Sequence, residues 1–484
     1  MESVLLPFCR YSSKLCRCNR SVFRQIGSVG GISTCCMHAQ AVDAQQVHTS
    51  SLKKLTDLSM GTLSPENVDL SSKIIQDALA RKMSHDRSTK SHRHFTGLDG
   101  DCSASSRKSV EGHFLSALAK FLSYEYRELV DRKDLVVTNG ASSSLLAVLT
   151  QLFPNKCPVF VEELSYFLAL EDLRDRLGYP VHGVPFDSDG INIHALEAAL
   201  QRERARLLPL SRGKAENAKN KHDFWGIIYL VPAFHNPTGN VLAEEKCRKI
   251  IRLAREYKVL VICDDVYNLL YFNTRLPPRR LFAYDKKTDG DYVGNVISNG
   301  SFSKFLSPAS GVKLGWMELP QWIKSTCNLE NVTESQTAVA CEKILHAMQG
   351  NELSRFLGFL RQSYIENTAI VSWILETELV EGCRFTKPQG GSFFWIELPP
   401  FVSAATVEAE ALARYGIRIL NGRRCVANSQ SGGSAAAYEN CFRISISYTD
   451  RKTLSRSVRE LCQVIRDVVR AAEGAEREWC PGHA

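Results

Sequence analysis

The stretch 225–267, WGIIYLVPAFHNPTGNVLAEEKCRKIIRLAREYKVLVICDDVY, decides the fold. Its two apolar runs, WGIIYLV and VLVIC, are short and rich in β-branched residues, as buried strands are. Between them, Ile250, Ile251, Leu253, Ala254 and Tyr257 recur among charges, the pattern of a surface helix lying on a sheet. Working outward, LVVT (135–138), PVFVE (158–162) and NVISNG (295–300) repeat the alternation, so residues from about 134 to 318 are expected to form a mostly parallel sheet wrapped by helices. Beyond 320, GGSFFWIEL, GIRIL and FRISISY read as three strands of a smaller α+β domain. The stripe Leu454, Val458, Leu461, Ile465 and Val468 marks a core-facing final helix.

Composition narrows the function classes. No apolar run approaches the roughly 18–20 residues of a membrane helix, which predicts a soluble chain without a membrane partner. The net charge is +8, but residues 1–42 hold five Lys/Arg against one acid, so the body is only mildly basic. The polar run at 202–222 reads as a solvated loop, and no nucleic-acid partner is expected. The leader spaces Arg10, Lys14, Arg17, Arg20 and Arg24 through serines with no acid after Glu2, like a mitochondrial transit peptide; the matrix is the expected location, with the cytoplasm as the alternative. The 16 cysteines are scattered without a paired CxxC framework, which favours free thiols over disulfides or a metal. The expected organisation is a leader at 1–45, an N-terminal arm at 46–90 joining the small domain, a large domain at 91–325, a small domain at 326–475 and a tail at 476–484.

Three strings carry chemistry, and they occur in a telling order: NPTG at 236–239, DDVY at 264–267 and SNGSFSKFLSP around Lys304. A lysine amine can condense with an aldehyde cofactor and then serve as acid and base. Asp264 ends an apolar strand, where a carboxylate is costly unless it meets a cation. VVTNGASSSLLAVL runs from a strand through Gly140 into a helix, whose first amides and dipole suit a phosphate. Arg443 sits between the apolar residues of FRISIS, and a guanidinium there can grip a carboxylate through two parallel bonds.

In this combination the chain resembles the fold-type I, class I/II aminotransferases over roughly residues 55–470. The resemblance implies an α/β fold with a large three-layer domain, pyridoxal phosphate as cofactor, no metal, a homodimer, and amino-acid and 2-oxo-acid substrates. It assigns Lys304 to the cofactor aldehyde, Asp264 to the ring nitrogen, and Asn236 and Tyr267 to the ring hydroxyl. It places Tyr166 on the ring face and puts Ala141, Ser142, Ser301 and Ser303 among the cofactor-binding positions. Arg443 takes the substrate α-carboxylate, and Gly61 in DLSMGTLSP lines the substrate pocket with Asn236. The wording of the motifs is similar to the branch handling 2-aminoadipate, kynurenine or aromatic substrates. A β-eliminating C–S lyase, an enzyme like ACC synthase and a non-catalytic relative share most of these strings.

The chain departs from the family in two places. The phosphate-gripping arginine expected about seven residues after the lysine is replaced, after two extra residues, by Lys313 in SPASGVKLGW. Lys313 is expected to contact the phosphate as a point charge and hold it more loosely than a planar fork. Upstream, RHFTGLDGDCSASSRKSVEGHFLSAL lacks the tyrosine with which relatives reach a neighbouring subunit's phosphate.

Overall fold

In a computed structural model the protein is described at residues 55–88, 104–207, 220, 222–272, 276–306, 313–327, 335–427 and 438–479. The expected leader at 1–45, most of the polar run at 202–222 and the segment between Leu306 and Lys313 lie outside the described residues.

A seven-stranded sheet carries the architecture, in the order Leu135–Thr138, Gly315–Glu318, Val296–Ser301, Val259–Asp264, Gly226–Leu230, Val159–Glu162, Val181–Val184. Gly315–Glu318 runs against both of its neighbours, and the other pairings are parallel. The remaining strands therefore point one way, with their carboxyl ends along a single edge.

Successive residues feed two cores, as a doubly covered sheet requires. Ile227, Tyr229, Leu260 and Ile262 pack on one face, while Ile228, Leu230, Val259, Val261 and Cys263 pack on the other. The second face is covered by helix Glu244–Tyr257, which buries Ile250, Ile251, Leu253, Ala254 and Tyr257 as the sequence predicts. Glu244 and Glu245 in its first turn and Arg255 in its last complement the helix dipole. The helix ends where Lys258 takes a left-handed conformation at φ 53°.

A four-stranded antiparallel sheet follows, in the order Arg384–Thr386, Phe393–Glu397, Cys441–Ser445, Leu420–Asn421. GIRIL, expected as one strand, is split. Ile417–Arg418 pairs in parallel with Thr56–Asp57, while Leu420–Asn421 joins the four-stranded sheet. The run serves two partners on different sides, so its backbone changes direction at buried Ile419. The pairing with Thr56–Asp57, in which Thr56 N–H donates to Gly416 O at 2.8 Å and Leu58 N–H to Arg418 O at 2.9 Å, leads the chain to Gly61, whose carbonyl reaches Lys304.

The final helix, Arg451–Trp479, buries Leu454, Val458, Leu461 and Ile465. Val468 is only half-buried and Val469 takes the buried place expected for it, because a period of 3.6 residues carries the stripe forward between the two. One hydrophobic core runs through both sheets, joining Ile262 and Ile297 to Phe394 and Ile444. Every cysteine described with a side chain is a free thiol, and no helix of the described residues is long and apolar enough to cross a membrane.

Candidate active site

The parallel strands deliver their chemistry at the carboxyl edge, where open α/β sheets bind ligands. Gly140 follows Leu135–Thr138, the NPTG turn follows Gly226–Leu230, Asp264 ends its strand, and Ser301 ends Val296–Ser301. The sequence-predicted residues Ala141, Ser142, Tyr166, Asn236, Asp264, Tyr267, Ser301, Ser303, Lys304 and Lys313 line one cavity here. Gly61 and Arg443 join it through hydrogen bonds to Lys304 and Asn236.

Lys304 stands on a single 3-10 turn, Phe302–Lys304, that Ser301 caps by accepting Ser303 N–H at 3.2 Å. Its Nζ donates to the Gly61 carbonyl at 3.0 Å and lies 5.2 Å from the centre of the Tyr267 ring. Burial lowers its pKa, aided by the nearby Arg443 charge and opposed by Tyr166 and Asp264. A larger share of the amine is therefore uncharged and nucleophilic than in water.

Asp264 faces Lys304 with its carboxyl pushed up to about 6, because burial outweighs the Tyr229 hydrogen bond and the Lys304 charge. Its Oδ2 accepts the Tyr229 hydroxyl at 2.8 Å, whereas its Oδ1 is fully buried with no partner among the described residues. Sequence reasoning missed Tyr229; its signal was a lone polar tip inside the apolar run WGIIYLV. It also missed Glu162, whose Oε2 accepts Val231 N–H at 3.1 Å and lies 3.3 Å from His235 Nε2. His235 Nδ1 in turn sits 2.8 Å from Thr238 Oγ1, so the buried carboxylate faces a histidine that is itself bonded to the NPTG turn.

Opposite, Arg443 is 2 % exposed and stacks on the Phe393 ring with Cζ 3.8 Å from its centre. Nη1 donates to Asn236 Oδ1 at 2.6 Å, Nη2 donates to the Ser59 carbonyl, and Nε is buried without a partner among the described residues. Burial lowers its pKa, and no ion pair to it occurs among the described residues. A buried cation without a counter-charge is costly, which makes this a place for a ligand carboxylate. Asn236 also faces Tyr267, with Nδ2 3.5 Å from the hydroxyl. Gly61 has no room for a side chain, since a Cβ would fall 2.4 Å from Phe393 Cζ.

At the other end, helix Ala141–Leu152 begins after Gly140 at φ 93°, a conformation that favours glycine. The Ala141 carbonyl accepts Asn299 Nδ2 at 2.8 Å, which fixes the helix start against the sheet. The Lys313 stem passes this point: a Cβ on Gly140 would stand 3.8 Å from its Cε and 3.9 Å from Ser301 Oγ. Helix amides, two serine hydroxyls and an ammonium thus converge on one end of the cavity. Tyr166 lies along its wall, its hydroxyl pushed up to about 12 by burial.

This arrangement fits pyridoxal phosphate. The unsatisfied Asp264 Oδ1 offers an acceptor for a protonated ring nitrogen, the Gly140 helix start offers donors for a phosphate, and Lys304 offers an amine for an aldehyde.

Residues 96–461 match the family model of aminotransferase class I and II. The chain is 28% identical to a 2-aminoadipate transaminase of Thermus thermophilus, over 70% of this chain and 76% of that one. It is 24% identical to aromatic-amino-acid aminotransferase 1 of Thermococcus litoralis, over 72% and 77%. Among solved structures, the fold superposes on a kynurenine aminotransferase of Pyrococcus horikoshii with a TM-score of 0.67, 23% identity, and coverage of 86% of this chain and 92% of that one.

Proposed function

This chain belongs to the class I and II aminotransferases, and on that premise we propose that it moves the amino group of a 2-aminoadipate-, kynurenine- or aromatic-type L-amino acid to a 2-oxo acid, using the residues described above. Relatives named for 2-aminoadipate and aromatic amino acids support this choice of substrate class. Pyridoxal phosphate, when bound, supplies an electron-poor ring that draws charge from the substrate Cα.

The protein's own residues do the rest. Lys304 Nζ, kept partly uncharged by burial, would hold the cofactor through its aldehyde and, when a substrate amine takes that place, would be the amine positioned to take and return the Cα proton. Asp264 Oδ1, buried and unpartnered among the described residues, would accept from the ring nitrogen and favour its protonated form. Asn236 and Tyr267, side by side, would orient the ring hydroxyl, and Tyr166, on the cavity wall, would cover the ring face. The Ala141 and Ser142 amides, Ser301, Ser303 and Lys313 would hold the phosphate. Arg443, with N–H donors left beyond those engaged by Asn236 and Ser59, would bind the substrate carboxylate and so orient Cα toward Lys304.

The observation that carries this reading is Arg443, a buried guanidinium without a counter-ion among the described residues, sharing one site with a buried amine and a half-satisfied carboxylate. Incubating purified protein with a panel of amino acids, with and without 2-oxoglutarate, tests it. Acceptor-dependent glutamate is expected. Pyruvate and ammonia released from cysteine conjugates without an acceptor would assign a lyase instead. Failure to acquire a visible cofactor band on addition of pyridoxal phosphate would remove both enzyme readings.

We further propose a homodimer, supported by the family, and a mitochondrial matrix location, supported by the acid-poor basic leader. A light-scattering mass equal to one chain would overturn the first. A diffuse cytosolic signal from residues 1–45 fused to a fluorescent reporter would overturn the second.

A further inference from the structure

We infer that Tyr229 is a positioning residue: its hydroxyl holds one oxygen of Asp264 so that the other remains an ionised acceptor aimed at the cofactor ring nitrogen. The inference rests on the assignment of Asp264 to that nitrogen.

Several observations single Tyr229 out from an ordinary core tyrosine. It is 1 % exposed, so its hydroxyl must find a partner inside the protein. The partner is a carboxylate oxygen, Asp264 Oδ2 at 2.8 Å. The two side chains share a face of the sheet, because Tyr229 pairs with Ile262 and Asp264 lies two residues further along that strand. Asp264 therefore cannot turn over without breaking this bond, and the bond leaves Oδ1, buried and unpartnered, as the free oxygen. The other titratable groups near the Tyr229 hydroxyl are Tyr166 and Glu162, and Glu162 is already engaged by Val231 N–H and His235.

The bond has an electronic effect as well as a steric one. A phenol donating to one carboxylate oxygen stabilises the anion and makes it a weaker base. The proton shared with the ring nitrogen then stays on the ring. Without Tyr229, Oδ2 is a second unsatisfied buried oxygen, and the carboxyl takes the proton for itself.

The test compares two probes on cofactor-free protein. One is pyridoxal phosphate; the other is its 1-deaza analogue, in which a C–H replaces the ring nitrogen. Tyr229→Phe is expected to weaken the first about tenfold, the scale of one hydrogen bond to a charged group, and to leave the second unchanged. Equal losses for both probes, or none for either, overturn the inference, because a merely structural tyrosine does not distinguish N–H from C–H. If Tyr229→Phe does not fold, site-specific 3-fluorotyrosine at 229 keeps the shape and strengthens the donor. It should widen the gap between the probes, and an unchanged gap again overturns the inference. Asp264→Asn separates this from the premise. If that variant also fails to change the gap, the assignment of Asp264 to the ring nitrogen is what falls.

Discussion

Replacing Lys313 by arginine should make the protein hold its cofactor more tightly, and the size of the gain can be worked out from the site. The Lys313 stem runs beside Gly140, where a Cβ would stand 3.8 Å from its Cε, and ends near the start of helix Ala141–Leu152 and the Ser301 hydroxyl. Glycine at φ 93° leaves the lane open, so a longer planar side chain can follow the same path. The ammonium offers one point charge, whereas a guanidinium presents two parallel N–H donors to a phosphate. A second charge-assisted bond is worth about 1.5–3 kcal/mol when buried. Lys313 is exposed, so solvent screening cuts this to about 1 kcal/mol, or roughly fivefold in rate of loss. Lys313→Ala should act the other way, and more strongly, because it removes the charge. The assay is dialysis of the cofactor-loaded protein while following its visible band, at low and high salt. The Arg variant should lose cofactor about fivefold more slowly and the Ala variant faster, with both differences shrinking at high salt. Equal rates for all three proteins would refute the placement of the phosphate beside Lys313.

Three further outcomes follow from the same geometry. Burial raises the Asp264 carboxyl from 3.8 to about 6, so its cost to the cofactor-free fold is absent below the lower value and complete above the higher. The gap corresponds to roughly 3 kcal/mol. Asp264→Asn should therefore raise the Tm of cofactor-free protein at about pH 8 by a few degrees, lose that advantage toward pH 4, and bind cofactor more weakly; a pH-independent Tm difference would contradict the buried carboxylate. Arg443→Lys removes the fork but not the charge, and should raise KM for donor and acceptor about 10- to 100-fold while the cofactor band stays unchanged. Gly61→Ala forces a methyl group against the Phe393 ring that supports Arg443, at a cost of about 1–3 kcal/mol. It should impair substrate binding more than cofactor binding, as measured by KM and by cofactor titration.

What could be read from the chain follows from how far apart the interacting residues lie. Strand and helix of the large sheet are local patterns, and the 225–267 stretch shows both periods within one crossover unit. The convergence of Lys304, Asp264, Asn236 and Arg443 on one site was legible because each sits in a short string with distinctive neighbours. GIRIL was misread as one strand because one of its partners, Thr56–Asp57, lies about 360 residues away and nothing in the run itself marks the change of direction. Tyr229 was hidden for a different reason. In a sheet covered on both faces every side chain of Gly226–Leu230 is buried, so alternation of polar and apolar residues cannot say which face a residue serves. Its role appears only when register pairs it with Ile262 and brings it diagonally to Asp264. A polar tip in a fully buried strand must be satisfied by something. When that something is a carboxylate at the carboxyl edge of the sheet, the strand sets the electrostatics of the site as well as supporting it.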